Sequence, residues 1–239
     1  MIELRNVSRL YRRGADEVHA LEHVSLEIPT GRFVALMGPS GSGKSTLLNI
    51  LAGLDRPSGG EVSVAGRRLG DLSEDELAAF RAAHMGFVFQ FFNLIPVLSA
   101  RENVELPLLL THLKRADRRA RAETALRIVG LSERGDHMPA QLSGGEQQRT
   151  AIARAVVTDP EIVVGDEPTG DLDAKNAEEV LGLLRTLKQD FGKTVVIVTH
   201  DPRAERYVDE VLLLDKGVYL GAHPGGAGAS AAQASGGRA

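Results

Sequence analysis

Residues 38–46 combine glycines, hydroxyl side chains and one lysine in the order GPSGSGKST. The segment fits the pattern G-x-x-x-x-G-K-[ST], directly after an apolar run at residues 33–37 and before an apolar helical pattern that begins at Leu47. Glycines let backbone N–H groups turn toward phosphate oxygens, and the start of a helix attracts anions. The residues expected to bind nucleotide phosphates are Gly38, Pro39, Ser40, Gly41, Ser42, Gly43, Lys44, Ser45 and Thr46.

Two side chains of this segment have separate expected roles. Lys44 is placed to reach the β- and γ-phosphates of a nucleotide, and the hydroxyl of Ser45 is placed to ligate Mg²⁺. The alternative interpretation is a glycine-rich turn with a structural role only.

Two adjacent carboxylates, Asp166 and Glu167, follow the apolar run at residues 162–165. Acids that end a strand emerge at the carboxyl edge of a parallel sheet, which is where open α/β sheets bind ligands and where residues 38–46 also begin. We expect Asp166 to hold Mg²⁺ and Glu167 to polarise the water that attacks the γ-phosphate. A surface Asp-Glu pair without function is the alternative.

Residues 142–148, with the sequence LSGGEQQ, precede a helical pattern. Ser143 and Glu146 form an S-x-x-E capping box, which marks the start of a helix. Glycines in a helix cost about 1 kcal/mol each relative to alanine, so their presence in the first turn predicts close approach of another group to the backbone. A phosphate is the expected group, and an ordinary capped helix is the alternative.

Apolar runs of strand length alternate with helical patterns, which predicts a mainly parallel sheet flanked by helices. Several of these runs are apolar throughout, as in strands that are buried on both faces. Shorter runs with alternating polarity predict a small antiparallel β layer beside that sheet. The runs of the parallel sheet are residues 33–37, 86–89, 162–165, 194–199 and 211–214, and those of the antiparallel layer are residues 2–7, 18–28 and 61–64.

Strand patterns are missing from about residue 91 to residue 142, where residues 99–110 and 116–129 have helical patterns. We therefore predict one α/β domain over residues 1–222 with a helical subdomain inserted at about 91–142. Residues 223–239 are rich in Gly, Ala and Ser and contain almost no large apolar side chain. We therefore predict a disordered tail there.

The overall composition is that of a globular protein with a net charge of −4 and no cysteine. A negative net charge gives no reason to expect nucleic acid as a partner. The apolar runs are far shorter than the roughly 20 residues of a membrane-spanning helix, and no secretory signal is recognisable, so a cytoplasmic location is expected.

Residues 38–46, 142–148 and 166–167, in this order and spacing, resemble the nucleotide-binding subunit of ATP-binding cassette (ABC) transporters. The resemblance implies a P-loop NTPase fold, ATP hydrolysis as the activity, ATP as the bound nucleotide and Mg²⁺ as its cofactor. The chain also matches this family at Tyr11, Gln90 and His200 and at residues 170–173.

The resemblance implies roles for these three residues. Tyr11 would stack on the adenine ring, and Gln90 would touch both Mg²⁺ and the attacking water. His200 would hold the γ-phosphate and order Glu167, and its alternative is a histidine of the core or surface at a strand end.

In this family two subunits associate head to tail, so a second copy of the chain is an implied partner. The ATP on the phosphate loop of one copy would contact the signature residues of the other copy, namely Ser143, Gly144, Gly145 and Glu146. An integral membrane permease is the second implied partner. The expected location is therefore the cytoplasm, at the inner face of the cell membrane.

Residues 51–55, 87–104 and 166–173 resemble the lipoprotein-releasing, macrolide-exporter and cell-division branch of the family. The implied function is to drive a permease of the export or lipoprotein-release type by ATP-dependent dimer closure. The alternative is a nucleotide-gated regulator that dimerises on a membrane complex with little net transport. Phe91, Phe92, Leu94 and Ile95 would form the permease docking surface or, alternatively, pack under the helical insertion.

Overall fold

Two β-sheets and their flanking helices make up the described part of the chain, residues 1–14 and 16–228 of the computed structural model. The strands are β1 (Ile2–Arg13), β2 (Asp16–Ile28), β3 (Phe33–Met37), β4 (Gly59–Val64), β5 (Arg67–Arg68), β6 (Met85–Phe89), β7 (Ile162–Asp166), β8 (Thr194–Val198), β9 (Glu210–Asp215) and β10 (Val218–Pro224). The helices are α1 (Lys44–Leu51), α2 (Glu74–His84), α3 (Ala100–Glu105), α4 (Arg115–Ile128), α5 (Gly144–Val156) and α6 (Ala174–Phe191).

The larger sheet has the strand order β10-β9-β3-β8-β7-β6. All neighbours are parallel except β10, which pairs antiparallel with β9. The predicted mainly parallel sheet is confirmed, and its five parallel strands lie within a residue of the predicted runs, whereas β10 was not predicted. The carboxyl ends of β3, β8, β7 and β6 consequently lie side by side at one edge of the sheet.

Strand β10 corrects the predicted start of the disordered tail. His223 and Pro224, the first two residues of that segment, belong to β10 and pair with Val211 and Glu210 of β9. Backbone pairing at the edge of a sheet needs few apolar side chains, so composition gave no sign of it. Residues 229–239 of the predicted tail lie outside the described residues.

Each buried strand of the larger sheet has one apolar core on each face. Successive side chains of a strand point to opposite faces, and all five residues of β8 are buried. In β3, Val34 and Leu36 pack into the core that contains α1 and the smaller sheet. Phe33 and Ala35 pack into the core formed with α3 to α6. Burial on both faces fixes the register of the strands and hence the positions of their ends.

The smaller sheet is antiparallel, as predicted, and its strand order is β2-β1-β4-β5. Strand β1 continues to Arg13, beyond the predicted end at Val7, and pairs with β2 as far as Asp16. The added residues are mostly polar, so they show no apolar alternation in the sequence. This extension carries Tyr11.

Residues 91–142 contain helices and 3₁₀ turns and no strand. The predicted helix at residues 99–110 is divided: α3 ends at Glu105, and Leu106–Leu110 forms 3₁₀ turns. Pro107 lacks the N–H that an α-helix would need there. No helix in the described ranges is both long and apolar enough to cross a membrane.

Candidate functional site

The phosphate loop connects the end of β3 to the start of α1, as its sequence predicts. Gly38 has φ 149°, and a Cβ atom there would overlap the carbonyl oxygen of Leu214 in β9. Gly43 has φ 97°, and a Cβ atom there would overlap the carbonyl oxygen of Ala20 in β2. Both conformations favour glycine, and both contacts leave no room for a side chain. The two glycines therefore fix the loop between the larger and the smaller sheet.

The first turn of α1 presents backbone donors that no side chain caps. Its N-cap is Gly43, and there is no acidic residue in its first turn. Helices α2, α3 and α5 each begin with a serine capping box instead. The Lys44 ammonium is also in the loop, where it donates to the carbonyls of Gly38 at 2.9 Å and Pro39 at 2.8 Å. Unpaired N–H groups, a helix dipole and a cation together suit a bound phosphate.

Asp166 ends β7 and meets the phosphate loop at Ser45. The Ser45 hydroxyl donates to Asp166 Oδ1 at 3.2 Å. Burial raises the pKa of Asp166, while the Ser45 hydrogen bond and the Lys44 charge oppose that shift. Hydroxyl and carboxylate oxygens are ligands that Mg²⁺ accepts, with phosphate and water oxygens completing its shell. In the described residues no three His, Cys, Asp or Glu side chains cluster in a way that could hold a metal ion.

Glu167 and His200 meet at the neighbouring carboxyl ends of β7 and β8. His200 Nδ1 lies 2.9 Å from Glu167 Oε1, and the His200 backbone N–H donates to Oε2 at 3.4 Å. The His200 side chain is 74% exposed and that of Glu167 is 19% exposed. Glu167 has φ 49°, an unfavourable value for a residue with a side chain, and such conformations concentrate at functional sites. Glu167, paired with His200, directly follows Asp166, which contacts Ser45 of the phosphate loop.

Gln90 follows β6 and contacts the segment that comes after Glu167. Its Nε2 donates to Asp171 Oδ1 at 3.2 Å. A Cβ atom at Gly170 would lie 3.1 Å from the same nitrogen, so the amide packs closely on this turn. Strands β6 and β7 are neighbours, so Gln90 is placed at the same edge of the sheet as Asp166 and Glu167.

The predicted capping box is present at the start of α5. The Ser143 backbone N–H donates to Glu146 Oε2 at 2.8 Å, and this bond is the largest cause of the lowered pKa of Glu146. Ser143 and Gly144 are exposed. A Cβ atom at Gly145 would overlap the side-chain amide of Asn176 in α6, so within one chain the group that approaches this glycine is Asn176.

Within the described ranges, no hydrogen bond joins these signature residues to the phosphate loop of the same chain. The side chains of Leu172 and Phe92 lie next to Gly144 instead. The structure therefore brings the phosphate loop, Asp166, Glu167, His200 and Gln90 to one edge. The start of α5 contacts Phe92, Leu172 and Asn176.

Tyr11 lies on the β1 extension and is held by two residues that sequence reasoning missed. The Arg9 guanidinium stacks over the Tyr11 ring at 4.4 Å. Asp55 accepts from the Tyr11 hydroxyl at 2.6 Å and from Arg9 at 2.7 and 3.0 Å. Asp55 follows α1, so it connects the Tyr11 ring to the helix that begins at the phosphate loop. The ring is 37% exposed, which leaves surface for a ligand.

Two polar residues of α5 were also missed, because polar side chains in an amphipathic helix usually face solvent. Gln148 is fully buried. Arg154 donates to the carbonyls of Phe92 at 2.8 Å and Asn93 at 2.5 Å, and its burial lowers its pKa. Phe92 and Asn93 both have positive φ, so Arg154 holds a strained turn just after Gln90.

The sheet, the glycine-lysine loop and the carboxylates at the strand ends define a P-loop nucleoside triphosphatase. A model of the ABC transporter family matches residues 21–170, well over half of the chain. The chain therefore belongs to the ABC transporter family, as an ATP-binding and ATP-hydrolysing subunit.

Named relatives and solved structures agree with this membership. The ABC transporter ATP-binding protein MJ0796 of Methanocaldococcus jannaschii is 49% identical over 91% of this chain and 94% of its own length. The lipoprotein-releasing system ATP-binding protein LolD of Chromohalobacter salexigens is 48% identical, over 91% of this chain and 92% of its own length. The macrolide export ATP-binding/permease protein MacB of Salmonella typhimurium is 48% identical over 87% of this chain, which matches 33% of MacB. The dimeric structure of MJ0796 bound to ADP and Pi has a TM-score of 0.86 and 45% identity, and covers 94% of this chain and 98% of that chain.

Proposed function

We propose that this chain drives a membrane permease of the export or lipoprotein-release type by ATP-dependent closure of a dimer. The observation that carries the proposal is the Glu167–His200 pair, which lies beside the Ser45–Asp166 contact at the carboxyl edge of the larger sheet. A nucleotide binder without hydrolysis would not need this second pair. The nearness of the two pairs supports a single site at which phosphate binding and activation of water are combined.

In the proposed hydrolysis, each residue acts from the position described above. Lys44 and the first-turn N–H groups of α1 bind the β- and γ-phosphates. Ser45, Asp166 and Gln90 would hold Mg²⁺, and the ion would supply positive charge to the phosphates when bound. Glu167 accepts a proton from the attacking water, and His200 orients the Glu167 carboxylate.

The exposed start of α5 supports a site that is shared by two chains. Ser143 and Gly144 present a helix N-terminus to solvent, and such a terminus favours a phosphate group. A chain placed head to tail against a copy of itself would bring Ser143 to the γ-phosphate on the other phosphate loop. Gly145 and Glu146 would then support that contact from the first turn. The solved relative MJ0796 is described as dimeric, which agrees with this arrangement.

An exposed apolar surface beside Gln90 supports docking of a permease. Phe91 is 71% exposed and Leu110 is 81% exposed. Leu110 lines a groove of about 330 Å³, together with Phe89, Asn93 and Arg81 among others. Exposed apolar patches of this kind mark interaction sites. Docking there would place the chain at the cytoplasmic face of the membrane, and would link the permease to the strand end that carries Gln90.

The test of the proposed function is the substitution Glu167→Gln in the purified chain. We expect ATP turnover to fall at least about 100-fold, because proton transfer to a positioned base contributes about that much. ATP with Mg²⁺ should still bind and should convert the variant into a dimer, seen as a doubled mass by light scattering. The Lys44→Ala chain, which should not bind ATP, is the monomeric control. Turnover at the unsubstituted rate in Glu167→Gln would contradict the assignment.

A further inference from the structure

The buried amide of Gln148 faces two backbone carbonyls at the edge of the proposed site. Its Nε2 donates to Pro168 O at 2.6 Å and to Phe89 O at 3.3 Å. Both neighbours are acceptors, so the NH₂ group and not the oxygen must face them. Pro168 directly follows Glu167, and Phe89 directly precedes Gln90. One side chain of α5 therefore joins the two chain segments that carry these residues.

The backbone at Glu167 has a conformation that needs such support. A residue with a side chain is strained at φ 49°, and such a conformation persists only where its surroundings enforce it. Two backbone contacts hold it: Glu167 N–H donates to Val198 O at 2.9 Å, and Gly170 N–H donates to Glu167 O at 3.0 Å. The bond from Gln148 to the carbonyl of Pro168, the next residue, adds a third contact. This contact depends on a side chain.

We infer that Gln148 is a positioning residue for ATP hydrolysis, whose amide fixes the backbone of Glu167 and so the direction of its carboxylate. This inference rests on the proposed role of Glu167 as the base. Gln148 touches neither the phosphate loop nor the Ser45–Asp166 pair by hydrogen bonding within the described residues. Its loss should therefore affect the catalytic step and leave nucleotide binding in place.

Gln148 belongs to the same helix as the signature residues Ser143 and Gly144. Gln148 lies one turn into α5, the helix whose start carries Ser143 and Gly144. A phosphate that binds at the start of α5 would thus contact the same rigid helix that holds the backbone next to Glu167. Helix α5 would thus contact one nucleotide and also help to position the base that acts on the other nucleotide.

Gln148→Met tests the inference, because methionine has a similar length and lacks the amide donors. We expect kcat to fall about tenfold or more, since small misplacements of a catalytic group have effects of that size. The KM for ATP should stay within about twofold, because the groups that bind phosphate are unchanged. The measurements are steady-state phosphate release and the thermal unfolding midpoint of each variant.

Gln148→Glu gives a second measurement that a purely structural role would not affect. A carboxyl group that faces two carbonyls donates a hydrogen bond only when protonated. The kcat of this variant relative to the unsubstituted chain should therefore rise as the pH is lowered from about 8 to about 6, since burial raises the pKa of such a carboxyl group. If Gln148→Met does not fold, the pH dependence of this kcat ratio tests the inference by itself.

Thr150→Val is the matched control. Thr150 is fully buried on the same helix, and its hydroxyl donates to the Glu146 carbonyl at 2.8 Å, away from Pro168. We expect its kcat and KM to match those of the unsubstituted chain.

An unchanged kcat in Gln148→Met, or a rise in KM as large as the fall in kcat, would overturn the inference. So would a flat pH ratio for Gln148→Glu. These results leave the proposed function standing as long as Glu167→Gln is inactive. Normal turnover in Glu167→Gln would instead contradict the proposed function itself, whatever Gln148 does.

Discussion

His200 Nδ1 and Glu167 Oε1 lie 2.9 Å apart, although 33 residues separate them in the sequence. They meet because β7 and β8 are neighbouring parallel strands that end at the same level of the sheet. The Glu167 carboxylate is mostly covered, whereas the His200 ring is mostly exposed. The histidine can therefore orient the carboxylate while one ring edge stays open to a ligand.

His200→Ala should lower kcat for ATP hydrolysis about 100-fold, because a misoriented base loses most of its contribution. ATP affinity should change little, since Lys44 and the loop remain. Phosphate release and calorimetric ATP titration measure the two quantities. His84→Ala is the control, because His84 forms a similar pair with Glu161 at 3.0 Å, at the opposite end of β7. Equal turnover in both variants would contradict a catalytic role for His200.

Lys44→Ala should weaken ATP binding at least about 30-fold, because loss of a charged hydrogen-bond donor costs about 2 kcal/mol or more. The exposed Lys114 serves as the control, and Lys114→Ala should bind ATP normally. Equilibrium titration with ATP and Mg²⁺ makes the comparison. An unchanged affinity in Lys44→Ala would exclude the proposed phosphate contact.

Asp55→Asn should raise the KM for ATP about fivefold, because Asp55 holds both Tyr11 and Arg9 and base stacking on an aromatic ring is worth about 1–3 kcal/mol. Inhibition by inorganic tripolyphosphate, which has no base, should not change. In a Tyr11→Leu background, Asp55→Asn should have no further effect.

The control for this prediction is Glu17→Gln, which removes an exposed ion pair with Arg12 on the same hairpin. Its KM for ATP should be unchanged. Equal weakening of ATP and tripolyphosphate by Asp55→Asn would show that Asp55 supports the phosphate loop and not the base-binding residue.

Phe91→Asp should prevent association with the permease and leave ATP hydrolysis by the isolated chain unchanged. Phe91 is substituted and not Phe92, because Phe92 is half-buried next to Gly144 and its replacement would also alter packing there. Leu220→Asp is the control: Leu220 is 64% exposed on β10, at the opposite edge of the larger sheet. Co-purification from detergent extracts, with the permease identified by mass spectrometry, gives the result. Retention of the permease by Phe91→Asp would contradict docking at this surface.

The sequence was most informative where local pattern and tertiary structure agree. The loop after β3, the acids after β7 and the capping box at Ser143 are each defined by a few adjacent residues. Strand β8 is apolar throughout because both of its faces are buried, and so it was found almost to the residue. These elements alone place the phosphate loop next to Asp166.

Contacts between distant segments could not be predicted from the sequence. Asp55 gives no local sign that it binds Tyr11, which is 44 residues away. Gln148 occupies a polar position of an amphipathic helix, where side chains usually face solvent, so nothing in the sequence marked its burial. Helix α2 was missed because it is rich in charge, although its Ser73–Glu76 capping box was a usable signal.

The apolar surface around Phe91 also has a consequence for how the chain is made. A folded chain without its permease exposes this surface to water, and such patches promote self-association. Surplus copies would then be removed by chaperones and proteases, as aggregation-prone proteins are in cells. If the permease covers this surface as proposed, an excess of this chain over the permease would be prone to aggregate, so a few exposed side chains would constrain the ratio in which the two components are synthesised.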